Sequence, residues 1–367
     1  METILEFLNI IENKGFKAYV VGGYVRDYLL SIKSFDIDVT TNATPKQIKE
    51  IFLDVELKKS EVDKSSYGSL IVNYKNILFE VTTFREESDY LDNRHPSSIK
   101  YVDDLETDLK RRDFTINAIC MDKFGKIIDP LNGRQDLKNK VIKTIGDSNK
   151  SFRDDALRIL RAIRFSTVLN FKLDENVIKS IEKNKKYLKN ISYERKKVEL
   201  DKIFVSKNNK YGIELIKELK LDKYLELNDL NRVQDYTDLI GIWSMINPAS
   251  YKFTKVEREL IKKVNVVYNL DNLNNQVLYK YGLYVNVLAG INKGISKKKI
   301  TESYNKLPIK SKSDIKIDVD TICSILNKKP DSFLNSIYKD LEHEILNNNL
   351  KNDRNKIIKY IKLKYLK

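Results

Sequence analysis

The spacing of apolar residues changes once along this chain, near residue 150, and that change limits what it can fold into. Before it, short apolar runs and alternating segments mix with helical spacing. After it, Leu, Ile and aromatic residues recur at three- and four-residue intervals almost throughout. Residues 17–21 (KAYVV) form a short apolar run ending at Gly22-Gly23, followed by a helical pattern, YVRDYLL. Residues 35–40 (FDIDVT) alternate apolar and acidic residues at the strand period, with Phe35, Ile37 and Val39 expected in the core. Thr44 and Pro45 supply a cap and a first-turn proline for a helix reaching about Phe52. Residues 67–74 and 77–84 read as strands joined by a Lys75-Asn76 turn, and residues 109–121 read as a helix. Further helices are expected over 154–169, 175–188, 192–204 and 211–219. The expected fold class is α+β. A head of mixed sheet and helices (1–148) precedes a helical neck (149–210) and an all-helical body and tail (211–367).

Composition narrows the function classes. With 367 residues, 41% of them hydrophobic, the chain can build more than one core. Twelve Gly and two Cys exclude a collagen-like chain and a disulfide scaffold. Two lone cysteines (Cys120, Cys323) and two distant histidines (His95, His343) leave no zinc-ligand spacing. The first twenty residues carry acids where a signal peptide carries bases, and no apolar run is long enough to span a membrane. The expectation is a cytoplasmic protein with no membrane partner. Its net charge of +15 is unevenly placed: residues 1–150 hold 23 Lys+Arg against 25 Asp+Glu, and residues 151–367 hold 44 against 27. The helical part either attracts a polyanion or reflects a chain rich in Lys and Asn throughout.

Chemistry points to the head. On a strand, Asp36 and Asp38 project from one face, and two such carboxylates repel unless a cation lies between them. Magnesium suits oxygen ligands and substrate phosphates, and two such ions activate a hydroxyl and stabilise a leaving pyrophosphate. Glu80 is a third acid if its strand lies alongside. Gly22-Gly23, between a strand and a helix, lets backbone amides approach an anion, and Arg26 one turn later can pair with a phosphate.

These residues belong to a longer ordered pattern. GGYVRDYLL and FDIDVTT resemble the first motif of the nucleotidyltransferase superfamily shared by class II CCA-adding enzymes and bacterial poly(A) polymerases. Residues 111–118 (RRDFTINA) resemble a second motif. Asp129-Pro130, Gly133 and Asp136-Leu137 resemble the DPxGGxxDL turn, with Asn132 in place of its first glycine. Residues 154–158 (DDALR) resemble EDxxR, with Asp for the leading Glu, and residues 194–199 resemble ERxxxE. The resemblance spans roughly residues 17–205.

The resemblance implies that Asp155 and Arg158 read the incoming base and that the RRD triplet, with Asp113, contacts its ribose. On one helix Asp155 and Arg158 would share a face and hold each other rigid. Cytosine and adenine both offer an exocyclic amine beside an unprotonated ring nitrogen. The carboxylate can accept from that amine while the guanidinium donates to the nitrogen. Adjacent helix residues point about 100° apart, so the sequence leaves open which of Arg111 and Arg112 faces the nucleotide, with Arg112 taken as the candidate contact. Arg161 and Arg164 either hold the triphosphate or serve as structural partners. Residues 84–111 resemble the flexible loop of enzymes that add A as well as C. That interval lacks the basic run of poly(A) polymerases. The implied partners are CTP, ATP and the acceptor and T arms of tRNA, the latter met by Lys297-Lys298-Lys299 and the basic segment 351–367. Poly(A) polymerase and an RNA-binding protein with an inactive head are the alternative readings.

Overall fold

The apolar run before Gly22 becomes an inner strand of the head's sheet. The structure, a computed structural model, describes residues 1–53, 57–58, 68–88, 98–246 and 249–366. The chain opens with α1 (Glu2–Glu12), β1 (Ala18–Val21), α2 (Gly23–Leu29), β2 (Ile37–Thr41) and α3 (Pro45–Ile51). Next come β3 (Leu57–Lys58), β4 (Ser69–Tyr74), β5 (Ile77–Thr83), β6 (Arg85–Glu87) and β7 (Ile99–Tyr101). Then follow α4 (Leu105–Lys110), β8 (Cys120–Met121), β9 (Ile127–Ile128), α5 (Gly133–Asn139) and β10 (Val141–Ile142). Strand order in the main sheet is β3-β4-β5-β2-β1-β8-β9, and β2 runs parallel to β5 while its other neighbours pair antiparallel. On one side of the sheet, α1 buries Ile4, Phe7, Leu8 and Ile11, one stripe at helical spacing. The Phe7 ring lies between Phe79 at 3.9 Å and Phe52 at 4.8 Å.

Local chemistry explains several of these elements. The Thr44 hydroxyl and Gln47 amide form a reciprocal capping box at the start of α3. Lys75 and Asn76 both take positive φ (49° and 62°), the turn that matches the twist of β4 and β5. Gly22 caps α2 at φ 79°, and a Cβ there would lie 3.4 Å from the Asp38 carboxylate.

Helices α6 (Ser148–Asp154), α7 (Leu157–Leu169), α8 (Glu175–Asn184), α9 (Tyr193–Phe204), α10 (Asn209–Glu218) and α11 (Asp222–Leu225) complete a first unit, Met1–Glu226. The parallel pair of β10 with β11 (Lys172–Leu173) ties these helices to the head. The second unit, Leu227–Lys367, is helical: α12 (Leu239–Ile246), α13 (Lys255–Tyr268), α14 (Asn275–Asn292), α15 (Lys297–Asn305), α16 (Val319–Leu326), α17 (Phe333–Leu346) and α18 (Arg354–Tyr365). Boundaries placed at 148/149 and 210/211 both fall inside the first unit. Trp243 is buried against Tyr251 and Phe253, a packing role. The basic segment from 351 forms α18, seated through Ile357 and Ile361. Cys120 is buried in β8, where desolvation pushes its thiol up to about 12, whereas Cys323 on α16 is partly exposed. Among the described residues no helix is long and apolar enough to cross a membrane.

The α+β class holds, with four local corrections. Phe35 is 77% exposed and Asp36 precedes β2, because the β1 pairing ends at Val21–Asp38 and that with β5 at Ile37–Phe79. Residues 109–121 are not one helix: α4 stops at Lys110, Phe114 is extended, and a 3₁₀ turn spans Thr115–Asn117 before β8. The Asp113 carboxylate accepts from the Phe114 amide and the Thr115 hydroxyl donates to Asp136, so side chains compete with helical bonding. The helix expected over 154–169 breaks at Asp155, which is extended and whose carboxylate accepts from the Leu157 amide two residues on, a side-chain turn just ahead of α7. The helix expected over 175–188 ends at Asn184 and tightens into a 3₁₀ turn, Lys185–Asn190. The strand start at Tyr67, the loop segment 89–97 and His95 lie outside the described residues.

Candidate active site

Several stretches of the first unit, β6 with Arg85 and Glu87 among them, converge on one cavity of about 600 Å³. The β1–α2 turn brings Gly22, Gly23 and Arg26, and the start of β2 brings Asp36 and Asp38. The end of α4 brings Arg111, Arg112 and Asp113. The α6–α7 junction brings Asp155, Arg158, Arg161 and Arg164, and α9 brings Lys202. Every residue expected at the site therefore lines the cavity except Glu80. Glu80 lies directly beside Asp38 in the β2–β5 register, so its strand does run alongside.

The partners of these side chains differ from those expected. Asp155 and Arg158 do not pair with each other. The break before α7 turns Asp155 toward Arg195 (3.2 Å), while Arg158 donates to the Ser151 hydroxyl (2.9 Å) and the Arg111 carbonyl (2.8 Å). Each is thus oriented by its own neighbours. Arg26 pairs with Asp27 at 2.7 Å and donates to the Asn117 amide oxygen at 2.7 Å. Arg164 lies 2.7 Å from Glu199, the last acid of the ERxxxE pattern. Arg111 and Arg112 both line the cavity, and the buried Nε of Arg112 has no hydrogen-bond partner among the described residues.

Asp113 is buried and accepts from the Phe114 amide, the Asn117 amide and Arg161 at 2.7 Å. Burial pushes its carboxyl up, but Arg161, Asn117 and Arg158 outweigh burial and hold it down at about 2. Its folded value lies below its unfolded one, so its contribution is present above pH ~4 and fades as pH falls toward 2. That contribution is on the order of 2 kcal/mol. Unfolding of the wild type and Asp113→Asn at pH 7 and pH 3 measures it. Equal pH dependence in the two proteins would count against the assignment.

Periodicity did not reveal Asp108, Glu87, Phe165 or Lys202. Asp108 is fully buried on α4 and accepts from the Thr40 hydroxyl (3.0 Å) and Arg111 (2.8 Å) and pairs with Arg112 (3.3 Å). Burial pushes its carboxyl up, yet the two arginines bring it below its ordinary value. Its place three and four residues before two arginines was the available signal. Lys202 lies three residues after Glu199 on α9, one turn along. Glu87 on β6 pairs with Arg85 (2.7 Å) and Arg111 (3.4 Å), a contact between distant segments that local spacing does not encode.

A carboxylate-bearing strand beside a Gly-Gly turn, facing arginines from a following helix, defines a nucleotidyltransferase head. Residues 18–143 match the poly(A) polymerase head domain family. Residues 170–230 match the RNA- and SrmB-binding site family of polymerase A, and residues 249–361 a second domain of tRNA nucleotidyltransferases. A CCA-adding enzyme of Ligilactobacillus salivarius is 33% identical, over 98% of this chain and 95% of its own length. One of Staphylococcus epidermidis is 31% identical, over 96% of each. The crystal structure of the Bacillus stearothermophilus CCA-adding enzyme in complex with CTP has a TM-score of 0.79 at 26% identity, covering 98% of this chain and 96% of that one. The chain belongs to the class II CCA-adding family of tRNA nucleotidyltransferases.

Proposed function

We propose that the protein completes the 3′ end of tRNA, adding C, C and A from CTP and ATP with release of pyrophosphate. The observation that carries this reading is the convergence of the acidic strand, the Gly-Gly turn and the α7 arginines on one cavity. The terminal ribose 3′-hydroxyl attacks the α-phosphate of the nucleotide, and the bond to pyrophosphate breaks. Gly22, Gly23 and Arg26 receive the leaving group, through backbone amides at the start of α2 and a guanidinium.

Magnesium fits the donor set. Asp36 and Asp38 present hard carboxylate oxygens to the same cavity, with Glu80 beside Asp38 on the next strand. Among the described residues no group of three or more His, Cys, Asp or Glu converges as a metal cage; magnesium held by few carboxylates would take further oxygens from the nucleotide's phosphates. Asp36 and Asp38 would hold the magnesium pair, which when bound supplies charge to activate the hydroxyl and stabilise the leaving oxygens.

Base choice belongs to Asp155 and Arg158. Uracil and guanine present a carbonyl beside a protonated nitrogen and leave both side chains mispaired. Arg158→Ala is expected to erode the preference for CTP and ATP over UTP and GTP by about a hundredfold. Measuring kcat/KM for all four nucleotides tests this, and an equal loss for all four would count against it. For tRNA, the second unit supplies 25 Lys+Arg against 15 Asp+Glu, including exposed Lys297–Lys299 at the first turn of α15. Incubating tRNA that lacks its last three nucleotides with CTP, ATP and magnesium tests the whole reading. Three defined additions support it, whereas a long A ladder or no product overturns it.

A further inference from the structure

Three of the cavity's arginines meet at one aromatic ring. Phe165 on α7 lines the cavity and is only 6% exposed. The guanidinium carbons of Arg164, Arg26 and Arg161 lie 4.1, 5.1 and 5.4 Å from its centroid. Phe114 fixes the ring edge-on, with centroids 5.7 Å apart and planes at 77°. Each arginine also has a carboxylate: Arg26 with Asp27 at 2.7 Å, Arg161 with Asp113 at 2.6 Å and Arg164 with Glu199 at 2.7 Å. Three like charges so close together repel, and the negative face of an aromatic ring offsets part of that repulsion. An aliphatic side chain would fill the volume without doing so.

We propose that Phe165 is a positioning residue for the triphosphate: its ring gathers Arg26, Arg161 and Arg164 into one cationic site for the nucleotide's phosphate tail. The inference rests on the nucleotide-transfer reading above. The phosphate tail is common to CTP and ATP, so the ring serves both alike, in contrast to Arg158, which acts on the base. Lys202, lining the same cavity from α9, adds a further positive charge.

Calorimetric titration of CTP and of ATP, with magnesium, into the full chain tests the proposal without relying on turnover. Phe165→Leu is expected to weaken both nucleotides by about tenfold. Phe165→Tyr, which keeps the π face, should restore binding to within about twofold of wild type. In steady-state assays the Leu variant's loss should fall mainly on KM, and its inhibition by pyrophosphate should weaken in parallel. Phe165→Met, read with the same titrations, covers the case in which the Leu variant does not fold. Wild-type affinity in both aliphatic variants, or loss confined to one nucleotide, overturns the proposal while leaving the transfer reading intact. Absence of CTP and ATP binding to the wild type overturns the transfer reading itself.

Discussion

Asp38→Ala is expected to remove both C and A addition, lowering kcat by about a thousandfold or more, while leaving tRNA binding largely unchanged. The asymmetry follows from where Asp38 sits. It pairs in register with Val21 on one side and Glu80 on the other, within the sheet, so its backbone is fixed by strands on both flanks. Asp36, by contrast, lies just before the first paired position of β2. Asp38 also stands 3.4 Å from the point where a side chain on Gly22 would begin, which brings the proposed metal ligand and the proposed phosphate turn together. The second unit is untouched by the change. End-labelling with CTP and ATP measures the loss, and a gel-shift titration measures tRNA binding. Activity within tenfold of wild type would sink the assignment of Asp38 as a metal ligand.

The largest effect on stability is expected at Asp108. Its carboxylate is fully buried, and it pairs with Arg111 and Arg112 while accepting from Thr40 of β2 and the Arg85 amide of β6. Removing it leaves two guanidinium groups close together without their shared counter-charge. Asp108→Ala should cost about 3–5 kcal/mol, because a broken buried pair strands its partner. For a unit of this size that corresponds to a fall in Tm of roughly 10 °C. Thermal unfolding followed by circular dichroism measures it. A shift of about a degree would show that Glu87 alone suffices to neutralise Arg111. Nucleotide affinity should fall too, since the same carboxylate holds both arginines that line the cavity.

The elements legible in the sequence were those whose signal is local and periodic. Thr44-Pro45 marked α3, Lys75-Asn76 marked the β4–β5 turn, and alternation in FDIDVT marked most of β2. What failed was continuity. RRDFTINA carries apolar residues at helical spacing, yet Asp113 and Thr115 spend their side chains on an amide and on Asp136, and the backbone leaves the helix. Asp155 does the same just before α7, which is why its side chain and that of Arg158 reach the cavity without pairing with one another. Phe35 was misplaced because alternation does not reveal where the neighbouring strand ends. The site's residue types were readable from motif spacing. The hub role of Asp108 and the ring contacts of Phe165 depend on segments far apart in the chain, and only folding brings them together.

The two thiols divide between the two units, Cys120 in the first and Cys323 in the second. Cys120, buried within strand β8 and with its thiol pushed up to about 12, is shielded from alkylating reagents while the head stays closed. Cys323, partly exposed, remains within their reach. The chain thus carries its own pair of chemical clocks. The slow one ticks only when the first unit opens, so its labelling rate reads the opening free energy of that unit separately from the helices of the second.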